Sequence, residues 1–199
     1  MNILNLYKNI DQKQRFVDEV FSDQIYNPVR PQLTIIDGGA YEGEFSFYCL
    51  PFAKIIYAFE PDPRPFKRLD KYVKKFGLQD IIKHSSKALA STNGFRYFHN
   101  SGGGGSSMFE GLDSQPKDSI RVKTITLSKL IEDEKLEIID ILKMDMENAE
   151  NESINSPEFP NIASKIKMII GEHLGPSVNT LERLGYKMST HLGNYIFVR

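Results

Sequence analysis

The chain has 199 residues, 40% hydrophobic and 11% aromatic, enough apolar material to bury one full core in one ordinary domain. A formal net charge of -1 argues against recognising a polyanion such as nucleic acid by bulk electrostatics. The one cysteine, Cys49, excludes an intrachain disulfide, and no window approaches the ~20 apolar residues that cross a bilayer.

Residues 1–30 read as a polar, helical N-terminal appendage ending at Pro28 and Pro31, and residues 31–199 as an α/β domain. The N-terminus carries acids where a secretion signal needs an apolar stretch, and the lone cysteine suits a reducing compartment, so a cytoplasmic protein is expected. "QLTIID" is a short β-branched run bounded by breakers, a buried strand. After Gly43, Phe45, Tyr48, Cys49 and Phe52 fall at helical spacing, and Pro51 limits that helix. "AKIIYAFEP" predicts a second strand. "DPRPFKRLDKYVKKFG" predicts a helix with Pro65 near its first turn, Phe66, Leu69, Val73 and Phe76 on one face, and Gly77 as its stop.

"DIIKHSS" reads as the third strand. "GFRYFHN" and "SIRVKTITL" read as two more, joined through a flexible loop, "SGGGGSSMFEG" (101–111), whose four consecutive glycines suit a lid bearing Ser106 and Ser107 toward a substrate. "TLSKLIEDEKL" predicts a helix, "IIDILKMDM" and "KIKMIIGEH" buried strands, and "PSVNTLERLG" another helix. "YKMSTHLGNYIFVR" closes the chain as a hairpin around Gly193-Asn194. Strands alternating with helices predict a doubly wound, mostly parallel sheet, into which the terminal hairpin brings one antiparallel strand.

In such sheets ligands bind at the carboxyl ends of the strands, and here these ends carry Asp37, Glu60, the run Lys143 to Glu150, and Glu172-His173. The glycines after the first strand admit a cofactor backbone to backbone. For a dinucleotide, G-x-G-x-x-G would fall on Gly38, Ala40 and Gly43, and Ala40 breaks it. The pattern present is D-x-G-x-x-x-G through Asp37, Gly39 and Gly43. An acid there repels a pyrophosphate and suits a cation, which favours S-adenosylmethionine, a sulfonium with an ammonium and no phosphate. Glu60, at the end of the second strand, is placed to accept both ribose hydroxyls, with Pro61 and Pro63 fixing the turn after it. As an alternative, Glu60 caps the following helix.

The segments "IIDGGAYEGEFS", "AFEPDP", "VKTITLSKLI" and "IDILKMDMENAE", with "IIGEH" and "LERLGYKM", stand in the order and at about the spacing of the FkbM-type S-adenosylmethionine-dependent methyltransferases, which the chain resembles from about residue 33 onward. The resemblance implies a class I, Rossmann-like, seven-stranded methyltransferase sheet and O-methylation of sugars, glycans or related small molecules, leaving S-adenosylhomocysteine. It implies that Asp37, Gly38, Gly39, Ala40 and Gly43 shape the methionine end of the cofactor site, that Glu60 and Pro61 adjoin the ribose, and that Ser86, Lys87 and Ala88 lie along the adenine. The family's K-x-D-x-E-G-A-E signature maps onto Lys143, Asp145, Glu147 and Glu150, with Asn148 in place of the glycine.

For the acceptor, Asp145, Glu147 and His173 are candidate bases; as an alternative, Asp145, with Lys143 as its charge partner, positions the substrate or the methyl group of the cofactor and so counts among the cofactor residues. The carboxylates at 145, 147 and 150 also suit Mg²⁺, although a solvated acidic rim is the preferred reading and no metal is assigned. Two other functions stay open at this point, a non-catalytic cofactor-binding module and an NAD-dependent oxidoreductase, and so does homo-oligomerisation.

Overall fold

The computed structural model describes residues 32–99, 107–109, 119–146, 149–191 and 194–199. The 1–30 appendage, Ser106, Glu147 and Asn148 lie outside the described residues.

Strand β1 (Leu33–Gly38) runs into helix α1 (Glu44–Cys49), strand β2 (Ala53–Phe59), helix α2 (Pro63–Lys75) and strand β3 (Ile82–Ser85). Helix α2 starts where Asp62 accepts the Arg64 backbone N–H at 2.9 Å, has prolines in its first turn, and stops before Gly77, whose φ is +65°. The chain continues through β4 (Ala88–Leu89), β5 (Gly94–His99), β6 (Ser107–Phe109) and β7 (Ser119–Ile125), then α3 (Leu127–Asp133), capped by the Thr126 hydroxyl. Strand β8 (Ile139–Met144), helices α4 (Ala149–Ile154) and α5 (Phe159–Ala163), and strand β9 (Ile166–Gly171) follow. Helix α6 (Val178–Arg183) and the hairpin β10 (Lys187–His191) and β11 (Asn194–Val198) end it.

Seven strands form the main sheet in the order β10-β11-β9-β8-β1-β2-β3. Only β11 runs against its neighbours β9 and β10, as the hairpin pattern predicts. Asn194 already belongs to β11, so the connection is residues 192–193, outside the described residues. Alternating residues supply opposite faces. Ile36, Leu142 and Ile169 pack under α3, α5 and α6 with Phe159 and Phe197, whereas Ile35, Ile56, Ile141 and Ile170 pack with Phe47, Leu69 and Val73 from α1 and α2. Both faces are covered, which is why these strands are almost continuously apolar. Each such fully buried side chain contributes about 1.5–3 kcal/mol.

A second sheet has the order β4-β7-β5-β6. The strands expected from "GFRYFHN" and "SIRVKTITL" do not enter the main sheet; β5 and β7 pair antiparallel with each other. Part of the expected loop is also strand: Ser107–Phe109 pairs with Tyr97–His99, which places Ser107 on an edge strand. Local pattern shows that a segment is a strand but not which sheet it joins. Arg96 of β5 fastens this sheet to helix α4. Buried itself, it grips Glu152 of α4 with both guanidinium nitrogens, at 2.5 and 2.6 Å, and also holds Ser91 and Thr92.

Candidate active site

The carboxyl ends of β1, β2 and β8 meet the second sheet around a cleft with about 380 Å³ of empty space, partly open to solvent. Gly39, Phe59, Glu60, Pro61, Ala88, Leu89, Phe98, Asp145 and Met146 line it.

The loop after β1 makes the floor. Gly39 and Ala40 donate their N–H groups to the Phe59 carbonyl at 3.0 and 2.9 Å, and the Asp145 N–H reaches the Gly38 carbonyl at 3.1 Å. Residue 39 has to be glycine: its φ is +74°, and a Cβ would lie 1.8 Å from the Asp145 carbonyl oxygen. Gly43, at φ +99°, begins α1, and a Cβ there would strike Phe47 and Leu69 at 2.7 Å. Between them Tyr41 also holds a positive φ, 51°.

Glu60 is buried, and its two carboxylate oxygens accept the backbone N–H groups of Tyr41 at 2.8 Å and Asp62 at 2.7 Å. It therefore links the loops after β1 and β2. The helix cap is Asp62 and not Glu60. Burial pushes the Glu60 carboxyl up to about 7, against the two N–H groups and the Lys143 cation, which favour its charge.

Asp37 stands differently from the expectation. It is fully buried and absent from the cleft lining; Oδ2 accepts the Ser46 hydroxyl at 2.6 Å and Oδ1 lies 3.3 Å from the Lys143 ammonium. The β1–β8 register sets Asp37 beside Lys143, so the charge meant for a cationic ligand is offset inside the sheet. Lys143 donates to the Gly39 carbonyl at 2.7 Å and stands 3.6 Å from Asp145 Oδ2. Burial works against this ammonium, but Asp37, Asp145 and Glu60 outweigh it and raise its pKa.

Of the predicted cofactor residues, Gly39, Glu60, Pro61, Ala88 and Asp145 line the cleft; Asp37, Gly38, Ala40, Gly43, Ser86 and Lys87 do not. Asp145, just past the end of β8, is half-buried, with its side chain 38% accessible. Glu150 is buried, accepts the Met146 N–H and is pushed upward by burial, so it is not part of an acidic rim. His173 is exposed beyond β9 and outside the lining; its carbonyl, not its ring, accepts from Asn151 at 2.7 Å. Among the described residues no group of three or more His, Cys, Asp or Glu side chains is placed to hold a metal ion.

The sequence reading did not pick out Phe59, Leu89, Phe98, Met146 or Ser46. Phe59, Leu89 and Met146 adjoin residues it named. Ser46, polar between Phe45 and Phe47, was a legible signal of a buried hydroxyl. Phe98 required knowing that β5 folds over the cleft.

This strand order, with the β1 glycine loop, the acid after β2 and the acid after β8 around one cleft, defines the class I, Rossmann-like methyltransferase fold. The family model described as the methyltransferase FkbM domain matches residues 37–188, and the chain belongs to that family. Methyltransferase FkbM from Methylobacillus flagellatus KT superposes with a TM-score of 0.63 at 12% identity, over 92% of this chain and 48% of that one. The METTL16 MTase domain gives 0.52 at 14% identity, over 92% and 65%. The chain thus spans about half the length of the FkbM structure. No curated protein matches the sequence.

Proposed function

We propose that this protein is an S-adenosylmethionine-dependent O-methyltransferase acting on a hydroxyl of a sugar, glycan or related small molecule. The observation that carries the reading is that Glu60 and Asp145, 85 positions apart in sequence, line one cleft across the backbone of Gly39. That cleft fits the cofactor. Gly39 leaves open the space a Cβ would fill, and Glu60, with one backbone N–H on each oxygen, keeps a further lone pair on each for a ribose diol. Pro61, Ala88, Leu89 and Phe98 offer apolar surface to a purine.

A bound S-adenosylmethionine supplies a methyl group made electrophilic by its sulfonium. The chain's own residues do the rest. Asp145, open to the cleft and held near Lys143, accepts the hydrogen bond of the acceptor hydroxyl, orients its oxygen and takes its proton. Lys143 keeps a positive charge beside that carboxylate and fixes Gly39. Phe98 and Leu89 exclude water. His173 is the less favoured base because it lies outside the lining. Cys49 is buried, which fits a core residue in a cytoplasmic protein, and among the described residues no helix is long and apolar enough to cross a membrane.

Isothermal calorimetry with S-adenosylmethionine, S-adenosylhomocysteine and NAD⁺, followed by transfer of labelled methyl to a sugar and glycan panel, tests this. Binding of the first two and label in an alkali-stable methyl ether support it. Binding of NAD⁺ alone sinks it, and cofactor binding without transfer to any hydroxyl favours a non-catalytic module.

A further inference from the structure

We propose that Arg96 is a positioning residue: its two-pronged grip on Glu152 sets where Phe98 stands relative to Asp145 and Met146, and so tunes the affinity of the cleft for its cofactor. The inference rests on the reading of the cleft as an S-adenosylmethionine site. Two separate parts of the fold line that cleft. Asp145 and Met146 come from the chain just past β8, and Ala88, Leu89 and Phe98 come from the second sheet. Among the described residues no strand of the second sheet pairs with a strand of the main sheet, so no backbone ladder fixes one part against the other.

Apolar packing anchors only one side of the second sheet. Leu89 of β4 and Ile125 of β7 are buried in the main core, whereas Phe98 packs in a small separate cluster with Ala88, Val122 and Ile120. Arg96 and Phe98 lie two residues apart on β5 and therefore point to the same face. Arg96, only 7% exposed, ties that face to α4: Nη1 donates to Glu152 Oε2 at 2.5 Å and Nη2 to Oε1 at 2.6 Å. Nη2 also donates to the Ser91 hydroxyl at 2.9 Å, and Ser91 in turn donates to Glu152. Helix α4 is itself joined to the lining, because its Glu150 accepts the Met146 N–H. The clamp thus gathers the residue two before Phe98, the residue two after Leu89, and the helix bonded to Met146.

The chemistry of the clamp points to geometry more than to stability. Desolvation offsets much of what a buried ion pair gains, so apolar side chains of similar volume would hold the two elements about as firmly. What the guanidinium adds is direction. Its planar fork meets both carboxylate oxygens in one arrangement only, and a contact of that kind fixes the angle at which β5 carries Phe98 to the cleft.

The test titrates S-adenosylhomocysteine by calorimetry into wild type, Arg96→Lys, Phe98→Ala and the double variant, alongside the melting temperature of each unliganded protein. Lysine keeps the charge but not the fork, so Arg96→Lys should bind about tenfold more weakly. Phe98→Ala should weaken binding as well, and in that background Arg96→Lys should cost no more than about twofold, because both act through one contact. A role in stability alone predicts unchanged affinity in folded Arg96→Lys, or losses that multiply in the double variant. Either result overturns the proposal and leaves the cofactor reading intact, as does unchanged affinity in Phe98→Ala. If Arg96→Lys does not fold, the apolar pair Arg96→Met with Glu152→Leu takes its place in the same cycle, with the same outcomes. Failure of the wild type itself to bind overturns the cofactor reading and this inference with it.

Discussion

With the proposed cofactor in the cleft, Glu60 should tie stability and affinity to pH in opposite directions. Its carboxyl moves from a usual value of 4.5 to about 7 on folding, chiefly because burial penalises the charge. Between those values the native chain holds a proton that the unfolded chain has released, so stability falls as pH rises through the window. At 6% exposure little of the shift is screened, and it corresponds to about 3 kcal/mol lost by pH 8 relative to pH 4. In the proposed site a ribose diol would donate to the ionised form, so affinity should run the other way. With half the sites ionised near pH 7, the apparent Kd for S-adenosylhomocysteine should rise about tenfold between pH 8 and pH 6. Glu60→Gln removes the titrating group but keeps one acceptor oxygen for two backbone N–H donors, leaving one of them unmet. Its affinity should be weak and flat with pH. Calorimetry and thermal melts from pH 5.5 to 8.5 read both trends. A flat wild-type affinity alongside the expected stability slope would show that the carboxylate does not touch the cofactor. If stability also lacks the slope, burial does not hold the proton.

Asp145→Asn should lower methyl transfer by about 10²–10⁴-fold while S-adenosylhomocysteine affinity stays within ~threefold; a rate near wild type would return the base role to His173. Lys143→Met should cost about 3–5 kcal/mol, because it strands the fully buried Asp37 carboxylate. In a thermal melt that is a drop of about 10 °C, partly recovered by adding Asp37→Asn, and an unchanged melt would mean the pair contributes nothing. Gly39→Ala should abolish cofactor binding in the same titration, since its Cβ would meet the Asp145 carbonyl at 1.8 Å in a left-handed backbone. Wild-type affinity in that variant would show that the floor of the cleft yields.

The main sheet and the positions of Glu60 and Asp145 were legible because parallel topology brings strand ends together whatever the loops between them do. Periodicity and turn residues located β1, β2 and β8, and the acids followed. Which way an acid faces was not legible. Asp37 and Glu60 both follow apolar runs, yet the first is the fifth residue of β1, paired by register with Lys143, and the second lies one residue past β2. Lys143 is 106 positions from Asp37, and no local pattern shows that the two charges meet. The Arg96–Glu152 clamp, 56 positions apart, escaped for the same reason, and with it the second sheet that places Phe98 over the cleft.

From the sequence, the case for a cation rested on Asp37; in the fold, that carboxylate stabilises the junction of β1 and β8 and offers no free charge to a ligand. What supports a nucleoside cofactor is the steric demand at Gly39 together with the buried, backbone-bonded carboxylate of Glu60. The two are coupled. Glu60 bonds to the loop that Gly39 begins, and Lys143, which offsets Asp37, also holds the Gly39 carbonyl. Asp37 would therefore act on the proposed cofactor site through Lys143, by fixing the floor on which a ligand would lie. Replacing it should disturb binding only as far as it disturbs folding, whereas replacing Glu60 should separate the two.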